Sequence, residues 1–390
     1  MANKLGLAKV VNFAIATLAV GSLVAGFAPN LAVLTVGRSL QGFAMGLDLV
    51  TMYVVIGRMY PEALRAKALG MLAAAWVVPG LIGPGLAGLL VEISSWRMTF
   101  WIVPLLLMIP TMLLIPELKR LPLVPSLARP DAKKQIVAVL VAIAALALFQ
   151  GGASHVGRWP ALNILLIAIA SISAAAWATT VLMPKGFLRI APGIPAVVGM
   201  RGVVAGAFFA AEIYVPLALQ EIRGVSVALS GGVLTAATIT WFAGSWLQGS
   251  HRLKLSREQI LVVGVVMTTL GIALIPIAVF VPSSIAMAAL LASLVWGVSA
   301  FGMGICFPTL GVLLLDKSAE QEHARNSAAL QMSDSFGVII ATAIAGSLLS
   351  LASLKSEITS STFTSIWIFC AIVGLISSVF IPRIQVKVTS

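Results

Sequence analysis

The stretch IAMAALLASLVWGVSAFGMGICFPTLGVLLL, Ile285 to Leu315, runs for 31 residues without a charged side chain. A helix needs about 20 apolar residues to cross the ~30 Å hydrocarbon layer of a bilayer, so this stretch predicts a membrane span. The rest of the chain has the same character: 60% of its 390 residues are hydrophobic and only 10% are charged. Because a soluble domain is about one quarter charged, the composition predicts an integral membrane protein.

Eleven further apolar runs bring the predicted number of spans to twelve. Backbone groups that face lipid must be bonded within their own segment, and these runs lack the alternation of barrel strands. The predicted fold class is therefore all-α, a polytopic membrane helical bundle, and its fifth span is the shortest. The predicted spans are Val10 to Ala28, Leu31 to Gly57, Ala68 to Val91, Met98 to Pro116, Ile136 to Gln150, Leu162 to Met183, Ile194 to Leu219, Val227 to Leu247, Ile260 to Phe280, Ile285 to Leu315, Leu330 to Leu351 and Phe363 to Ile381.

Positive charges are unevenly divided between the two sides of this predicted topology. Of the 25 Lys and Arg residues, twenty lie on the side that holds both termini, with Arg201 counted among them, and Arg38 lies inside the second span. The other side holds four: Arg97, Arg158, Arg223 and Lys355. By the positive-inside rule both termini are predicted to be cytoplasmic. The net charge of +12 then reflects orientation in a cell membrane and gives no reason to expect a nucleic-acid partner.

Two segments of the chain resemble each other. Gly42-Phe43-Ala44-Met45-Gly46, followed by Arg65, is echoed by Ala300-Phe301-Gly302-Met303-Gly304, followed by Arg325, at an offset of 258 to 260 residues. The first four spans therefore match the last four. This predicts two halves of six spans with an extra pair between them, in a fourteen-span protein that lacks its first two. The predicted division is 1–117, 118–193 and 194–390.

Several short motifs carry a resemblance to a known family. Gly37-Arg38-Ser39-Leu40-Gln41-Gly42 is similar to the Arg-x-x-Gln-Gly motif in the fourth helix of the major facilitator superfamily. Gly83-Pro84-Gly85-Leu86-Ala87-Gly88 is similar to the Gly-Pro motif that marks its antiporters. Asn3-Lys4-Leu5-Gly6 resembles the family's cytoplasmic loop motif, although Asn3 stands where that motif has an acid. The resemblance implies a pseudo-twofold transporter fold, and the two extra spans point to the drug:proton antiporter branch.

Arg38 leads a stripe of residues along the second span. Gln41, Met45, Asp48 and Met52 follow it at helical spacing, and we predict that this stripe lines a cavity. A charge at bilayer depth costs a few kcal/mol, about 2.5 to 3.5 on insertion scales, and must face protein or water. Arg38 is expected to hold a carboxylate or a substrate group. The alternative is a structural Arg that bonds backbone and fixes helix packing.

Glu212 in the seventh span is the predicted proton carrier. The resemblance places it on a cavity wall opposite Arg38, where a desolvated carboxyl group near a cation can bind a proton from one side and release it to the other. A fixed ion pair that braces the two halves is the alternative. Phe208, Phe209 and Trp241 are predicted to contact a lipophilic or cationic substrate, with plain core packing as the other interpretation.

Two further groups of residues have mechanical interpretations. Asp334 is expected to form a cytoplasmic gate with basic residues such as Arg65 and Arg325, or else to complement the dipole of its own helix. Small residues in the third span are predicted to form the interface on which the halves rock, or to serve as ordinary helix contacts. These residues are Gly80, Gly83, Pro84, Gly85 and Gly88.

The predicted function is secondary active transport, with proton-coupled efflux of small amphipathic compounds by alternating access. No metal, cofactor or enzymatic activity is predicted, because the three His residues fall in loops and no phosphate-binding Gly-Lys-Ser/Thr loop is present. The predicted partners are a small-molecule substrate, protons and the lipid bilayer, with the protein as a monomer. Two alternatives stay open, a proton-coupled metabolite importer and a truncated membrane remnant that transports nothing.

Overall fold

The structure is a computed structural model that describes residues 7–59, 79–119, 132–249, 255–281, 284–319, 322–354 and 358–384. Within these ranges every regular element is helical, which confirms the all-α fold class. The helices are α1 (Leu7–Gly26), α2 (Leu31–Met59), α3 (Pro79–Ile93), α4 (Met98–Lys119), α5 (Ala132–Ser154), α6 (Ala161–Leu182), α7 (Ile194–Arg223), α8 (Val227–Gly249), α9 (Arg257–Phe280), α10 (Ile285–Lys317), α11 (His323–Leu354) and α12 (Ser360–Ile376). Short helical segments continue α12 to Ile384.

Each predicted span overlaps one of these helices, but the count of twelve spans is not confirmed. Nine helices in the described part of the chain, α1 and α5 to α12, are long and apolar enough to cross a membrane. The predicted fifth span was too short, because α5 has 23 residues and extends it at both ends. Lys133 and Lys134 join the first turn, and Gly151 to Ser154 form the last. Long basic side chains can reach from such a position to the polar edge of a bilayer. Residues 60–78, with Arg65 and the start of the predicted third span, lie outside the described residues.

The chain divides into two compact units, Met1–Arg129 and Pro130–Ser390. In the first unit α1 packs against α2 and α4. In the second, α5 and α6 form a pair, and α5 packs against α11. The predicted boundaries at 117/118 and 193/194 stay a prediction.

Helix α7 is the central helix of the second unit. It contacts α10, α11 and α12, and 18 of its 30 residues are buried. A surface helix buries one stripe, whereas a helix buried on most of its faces belongs to the core of a bundle. Side chains on α7 are therefore positioned by several neighbouring helices at once.

Equivalent positions of the predicted repeat make similar contacts. In the first unit the amide of Gln41 on α2 donates a 2.7 Å hydrogen bond to Ser22 Oγ on α1. In the second unit the hydroxyl of Ser299 on α10 donates a 2.9 Å bond to Thr268 O on α9. Ser299 follows Gln41 by 258 residues, the offset expected for equivalent positions. In each unit a polar side chain therefore joins the same pair of helices.

Glycines allow α7 and α11 to approach at backbone distance. A Cβ atom on Gly337 would overlap the carbonyl oxygen of Gly202, and one on Gly206 would lie 2.6 Å from Gly337 O. The hydroxyl of Ser333 on α11 donates a 2.7 Å hydrogen bond to Val198 O on α7. Without a hydrophobic force between helices in lipid, such close packing is what holds them together.

Replacement of Gly337 by Ala should destabilise the protein. The new methyl group meets backbone of α7, which cannot move aside, so we expect a loss of about 1 to 3 kcal/mol in the free energy of unfolding. Gly232→Ala in α8 is the matched control, because a Cβ there meets no atom within 4 Å. Denaturant unfolding in detergent micelles measures both variants. Equal stability of the two would contradict close packing of α7 on α11.

Candidate functional site

Three side chains on α7 share one face of that helix. Phe208 lies seven residues after Arg201, and Glu212 lies four residues further. At 100° per residue these spacings return to nearly the same direction. A positive group, an aromatic ring and a carboxyl group therefore follow one another over about 16 Å of helix.

Arg201 forms an ion pair with Asp334 of α11. Its Nε donates to Asp334 Oδ1 at 2.8 Å and to Oδ2 at 3.1 Å, and the two side chains are only 13% and 17% exposed. Its Nη1 donates to the backbone carbonyl of Phe307 on α10 at 2.8 Å. The guanidinium carbon lies 3.4 Å from the centre of the Phe307 ring. One cation thus joins three helices through a carboxylate, a carbonyl and an aromatic face.

Five aromatic rings contact one another, and we call them the aromatic cluster; one of them, Phe307, lies against the Arg201 guanidinium. Phe208 stacks on Trp296 with ring centres 4.9 Å apart, and Trp241 lies 5.4 Å from Phe307. Phe208 and Trp296 are almost fully buried, whereas Phe209 and Trp241 are half-buried. The members of the cluster are Phe208, Phe209, Trp241, Trp296 and Phe307. Its accessible edge is formed by Phe209 and Trp241.

A proline in α10 fixes the approach of α8. Pro308 has no N–H, so the carbonyl of Gly304 loses its partner within the helix. The hydroxyl of Ser245 on α8 donates a 2.9 Å hydrogen bond to that carbonyl, and a Cβ on Gly304 would overlap backbone of Trp241. Ser245 therefore makes a contact between α8 and α10. This contact brings Trp241 against Phe307.

Glu212 lies at the end of the cluster away from Arg201. Its side chain is beside the indole of Trp296, and the residue is half-buried. The indole N–H of Trp296 is fully buried, and within the described part of the chain no acceptor reaches it with hydrogen-bonding geometry. A carboxyl group beside an unused buried donor is placed to change its hydrogen bonding when its protonation changes.

In the first unit, Arg38 takes part in a hydrogen-bonded chain. Its Nη1 donates to Gln41 Oε1 at 2.8 Å, Gln41 donates to Ser22, and Ser22 donates to Leu18 O at 2.8 Å. The guanidinium carbon lies 5.9 Å from the Phe100 ring centre. Arg38 is exposed, and among the described residues no carboxylate forms an ion pair with it.

The predicted stripe on α2 divides into two edges. Arg38 and Met45 are exposed, whereas Gln41 is buried against α1 and Asp48 is half-buried. Met52 packs on Val11 of α1. The five residues cover about 80° of the helix surface, which is wide enough for one edge to contact α1 while the other stays open. The stripe is therefore not a uniform cavity wall in this unit.

Asp334, the acidic residue of the predicted gate, pairs with a different basic residue in the structure. Asp334 pairs with Arg201, and Arg325 pairs with Glu322 at 2.6 Å on an exposed surface. Because α11 begins at His323, Asp334 lies eleven residues into the helix rather than one turn. It is therefore about 13 Å along the axis from Arg325. Arg201 in turn lies inside α7 and not in a cytoplasmic loop.

The glycine motif lies on α3, where Pro84 interrupts the hydrogen bonds of the helix. Gly88 is buried, and Gly80, Pro84 and Gly85 are half-buried. A Cβ on Gly83 would meet no atom within 4 Å. With respect to the described residues, Gly83 therefore has free space beside it, unlike Gly202 and Gly337.

Sequence reasoning missed Arg201, Trp296 and Phe307 as members of the site. Arg201 carried a signal, since it lies within an apolar run and at helical spacing from Phe208 and Glu212. Phe307 directly precedes Pro308, a position where a helix changes direction. Trp296 gave no signal, because one Trp in an apolar run is compatible with any packing.

Comparison with known proteins decides the family. The family model of the Major Facilitator Superfamily matches residues 1–310. The chain belongs to this superfamily. Together with helices long enough to cross a bilayer, membership makes the protein a multi-pass membrane protein of a transporter family, and such families are not enzymes. The match does not test the number of fourteen spans or the predicted loss of two.

Curated relatives of this superfamily member are similar over parts of their length. An uncharacterized MFS-type transporter of Mycobacterium tuberculosis is 27% identical over 263 residues, 62% of this chain and 37% of the relative. The lincomycin resistance protein LmrB of Listeria monocytogenes is 32% identical over 24% of this chain and 19% of its own. The multidrug resistance protein Stp of M. tuberculosis is 34% identical over 21% and 16%. The chain thus spans less than half the length of these relatives.

Solved structures of transporters share the fold. A POT family transporter in complex with 5-aminolevulinic acid has a TM-score of 0.68 at 16% identity, covering 99% of this chain and 84% of that one. A mutant of the peptide transporter POT in complex with alafosfalin has a TM-score of 0.65 at 15% identity, with coverage of 98% and 81%. At this identity the likeness concerns the fold alone.

The Arg201–Asp334 ion pair can be tested by a double-mutant cycle. Arg201→Met leaves a buried carboxylate without its partner, and we expect it to cost about 3 to 5 kcal/mol of stability. Arg201→Met combined with Asp334→Leu should recover most of that loss, since no unpaired charge remains. Arg325→Gln is the control, because its exposed pair contributes about 0 to 1 kcal/mol.

Unfolding free energies in detergent of the unaltered protein, Arg201→Met, Asp334→Leu and the double variant give the four values of this cycle. A double variant as unstable as Arg201→Met would contradict direct coupling between the two side chains. A loss for Arg201→Met no larger than that for Arg325→Gln would contradict burial of the pair.

Proposed function

We propose that this protein is a secondary active transporter that exports small amphipathic compounds in exchange for protons. The proposal rests on membership in a transporter superfamily and on the position of Glu212 at the end of the aromatic cluster. Two relatives are named as resistance proteins, which supports export of small molecules. We further propose that the protein acts as a monomer in the cell membrane.

Glu212 is the group that supports proton coupling. It is the carboxyl group on the face of α7 that also carries Phe208, and it lies beside the indole of Trp296. Among the described residues no basic side chain forms an ion pair with it. A carboxyl group can move one proton per cycle, and its charged form costs more than its neutral form away from water. Protonation can therefore bias which conformation of the bundle is stable.

The aromatic cluster supports an amphipathic substrate. Phe209 and Trp241 present half-buried rings, which can contact the apolar part of a substrate and, through their faces, a positive group. Glu212 is the carboxylate that a positive group would approach. Competition between a proton and a substrate for this carboxyl group would couple the two movements.

Arg38 supports a second polar position in the first unit. Its exposed guanidinium donates one hydrogen bond to Gln41 Oε1, and a guanidinium has five N–H donors in total. The remaining donors can bind a polar substrate group or a carboxylate. Asp48 on the same helix is half-buried and is a further candidate.

The distribution of positive charge supports an orientation with both termini in the cytoplasm. Because Arg201 lies within α7, it no longer counts as a loop residue. Nineteen Lys and Arg residues then remain on the side of the termini, against four on the other side. This excess keeps the direction predicted by the positive-inside rule.

Glu212→Gln should abolish proton-driven transport while the protein still exchanges substrate across the membrane. The amide keeps the shape of the side chain but cannot carry a proton. Proteoliposomes with ethidium as the probe measure the two activities separately, as uptake driven by a pH gradient and as exchange without one. Glu221→Gln is the control on the same helix, because Glu221 is exposed near its end, and it should keep both activities.

Full proton-driven transport by Glu212→Gln would remove Glu212 from the mechanism. The direction of the proton gradient that drives accumulation separates an exporter from an importer. Absence of both activities in the unaltered chain would favour the interpretation as a remnant that transports nothing.

A further inference from the structure

A cavity lies between the helix pair α5–α6 and helix α11, away from the site described above. It has a volume of about 110 Å³. Its lining includes Phe149 and Val156 from α5 and the following turn, Ile164 and Ile167 from α6, and Ile344 from α11. Apolar cavities of roughly 150 Å³ stay free of water and can bind a molecule the size of benzene. The cavity can therefore hold several methylene groups.

The polar atoms around this cavity already have partners. Ser347 is the one lining residue with a polar side chain, and its hydroxyl lies 3.0 Å from Ala153 O and 2.9 Å from Ala343 O. The cavity consequently needs no polar ligand. An aliphatic chain packs against its apolar lining at a lower free-energy cost than water or a polar solute would.

The cavity adjoins the surface that faces lipid. Leu148 on α5 and Leu165 on α6 are neighbours of lining residues and are 57% and 55% exposed. Large apolar side chains exposed in this way on membrane helices contact acyl chains of the bilayer. Lipid is therefore the nearest source of an aliphatic chain.

A basic residue stands at one end of the cavity, in the turn between α5 and α6. Val156 lines the cavity, and Arg158 follows two residues later, with its side chain exposed. Among the described residues the Arg158 guanidinium has no hydrogen bond or ion pair. It is thus available to an anionic group from outside the protein.

The same turn has the features of a membrane–water boundary. Trp159 is 43% exposed and stacks on His155 with ring centres 4.1 Å apart. Exposed Trp residues concentrate at the level of lipid headgroups. The first turn of α6 holds no acidic residue, so nothing on that helix end opposes a negative group.

We propose that this cavity binds one acyl chain of an anionic phospholipid whose phosphate group lies at Arg158. An apolar cavity beside the lipid-facing surface and an exposed guanidinium without a partner among the described residues are the two parts of a phospholipid site. The bound chain fills the space between the α5–α6 pair and α11. The lipid then contributes to the attachment of the pair to the second unit.

Native mass spectrometry of the full chain in mild detergent tests this proposal. The protein is incubated with equal amounts of phosphatidylglycerol and phosphatidylethanolamine that carry identical acyl chains. We expect one retained lipid per chain and about five-fold more phosphatidylglycerol, the ratio for about 1 kcal/mol from one basic residue. Equal retention of the two lipids would overturn the assignment of an anionic headgroup.

Two pairs of variants distinguish lipid binding in the cavity from lipid binding elsewhere on the protein surface. Ala168→Phe fills the cavity and should abolish lipid retention, whereas Ala170→Phe makes the same change at an exposed position of α6 and should not. Arg158→Gln should remove the preference for phosphatidylglycerol. Arg189→Gln, an exposed residue beyond the other end of α6, should keep it.

Two results would overturn the proposal. One is retention of lipid by Ala168→Phe equal to that of Ala170→Phe, and the other is an unchanged preference in Arg158→Gln. Thermal unfolding in the same detergent shows whether each variant is folded. If Ala168→Phe is not, Ala168→Leu makes a smaller change at the same position and should lower retention at least two-fold relative to unaltered protein.

Discussion

A charge placed inside an apolar helix bundle must be matched by protein groups, because lipid tails offer no hydrogen bonds. In the second unit Arg201 meets this requirement through the Asp334 carboxylate, the Phe307 carbonyl and the Phe307 ring. These three partners come from α10 and α11, while Arg201 belongs to α7. One buried cation therefore fixes the mutual positions of three helices, and the aromatic cluster is built on the side chains that these helices present.

Small residues make this arrangement possible. Gly202 and Gly337 let α7 and α11 touch at backbone level, which brings Asp334 within reach of Arg201. Three residues before Phe307, Gly304 of α10 and its carbonyl, which Pro308 leaves without a helical partner, let α8 approach through Ser245. The position of Trp241 beside Phe307 is a consequence of that contact. Substitutions at these glycines and at Pro308 would therefore alter the geometry of the aromatic cluster, although none of these residues is a member of it.

The sequence predicted the helices well because length and hydrophobicity alone determine which segments can cross a bilayer. It also selected Glu212 and its aromatic neighbours as candidates, because charged residues in apolar runs are few and their helical spacing is known. Their roles in transport stay a prediction. The sequence did not predict that Asp334 pairs with Arg201, since 133 residues separate them and only helix packing brings them together. Nor did it separate the open edge of the α2 stripe, with Arg38 and Met45, from the edge that faces α1.

The start of α11 is another feature that hydrophobicity alone did not predict. The apolar run begins at Leu330, but the helix begins at His323, because polar residues extend a helix beyond its apolar part without any change in hydrophobicity. Asp334 thereby moves from the first turn of the helix to its fourth. The interpretation of Asp334 as an acid that complements the helix dipole depended on that position, whereas the pairing with Arg201 depends on the face of the helix.

The central claim is that Glu212 exchanges a proton for substrate. Its most direct test is the release of protons into unbuffered solution when ethidium binds to the purified protein in detergent. We predict close to one proton released per bound molecule from the unaltered protein, and none from Glu212→Gln, which should still bind ethidium. Equal release from both proteins would contradict the claim, because some other group would then carry the proton.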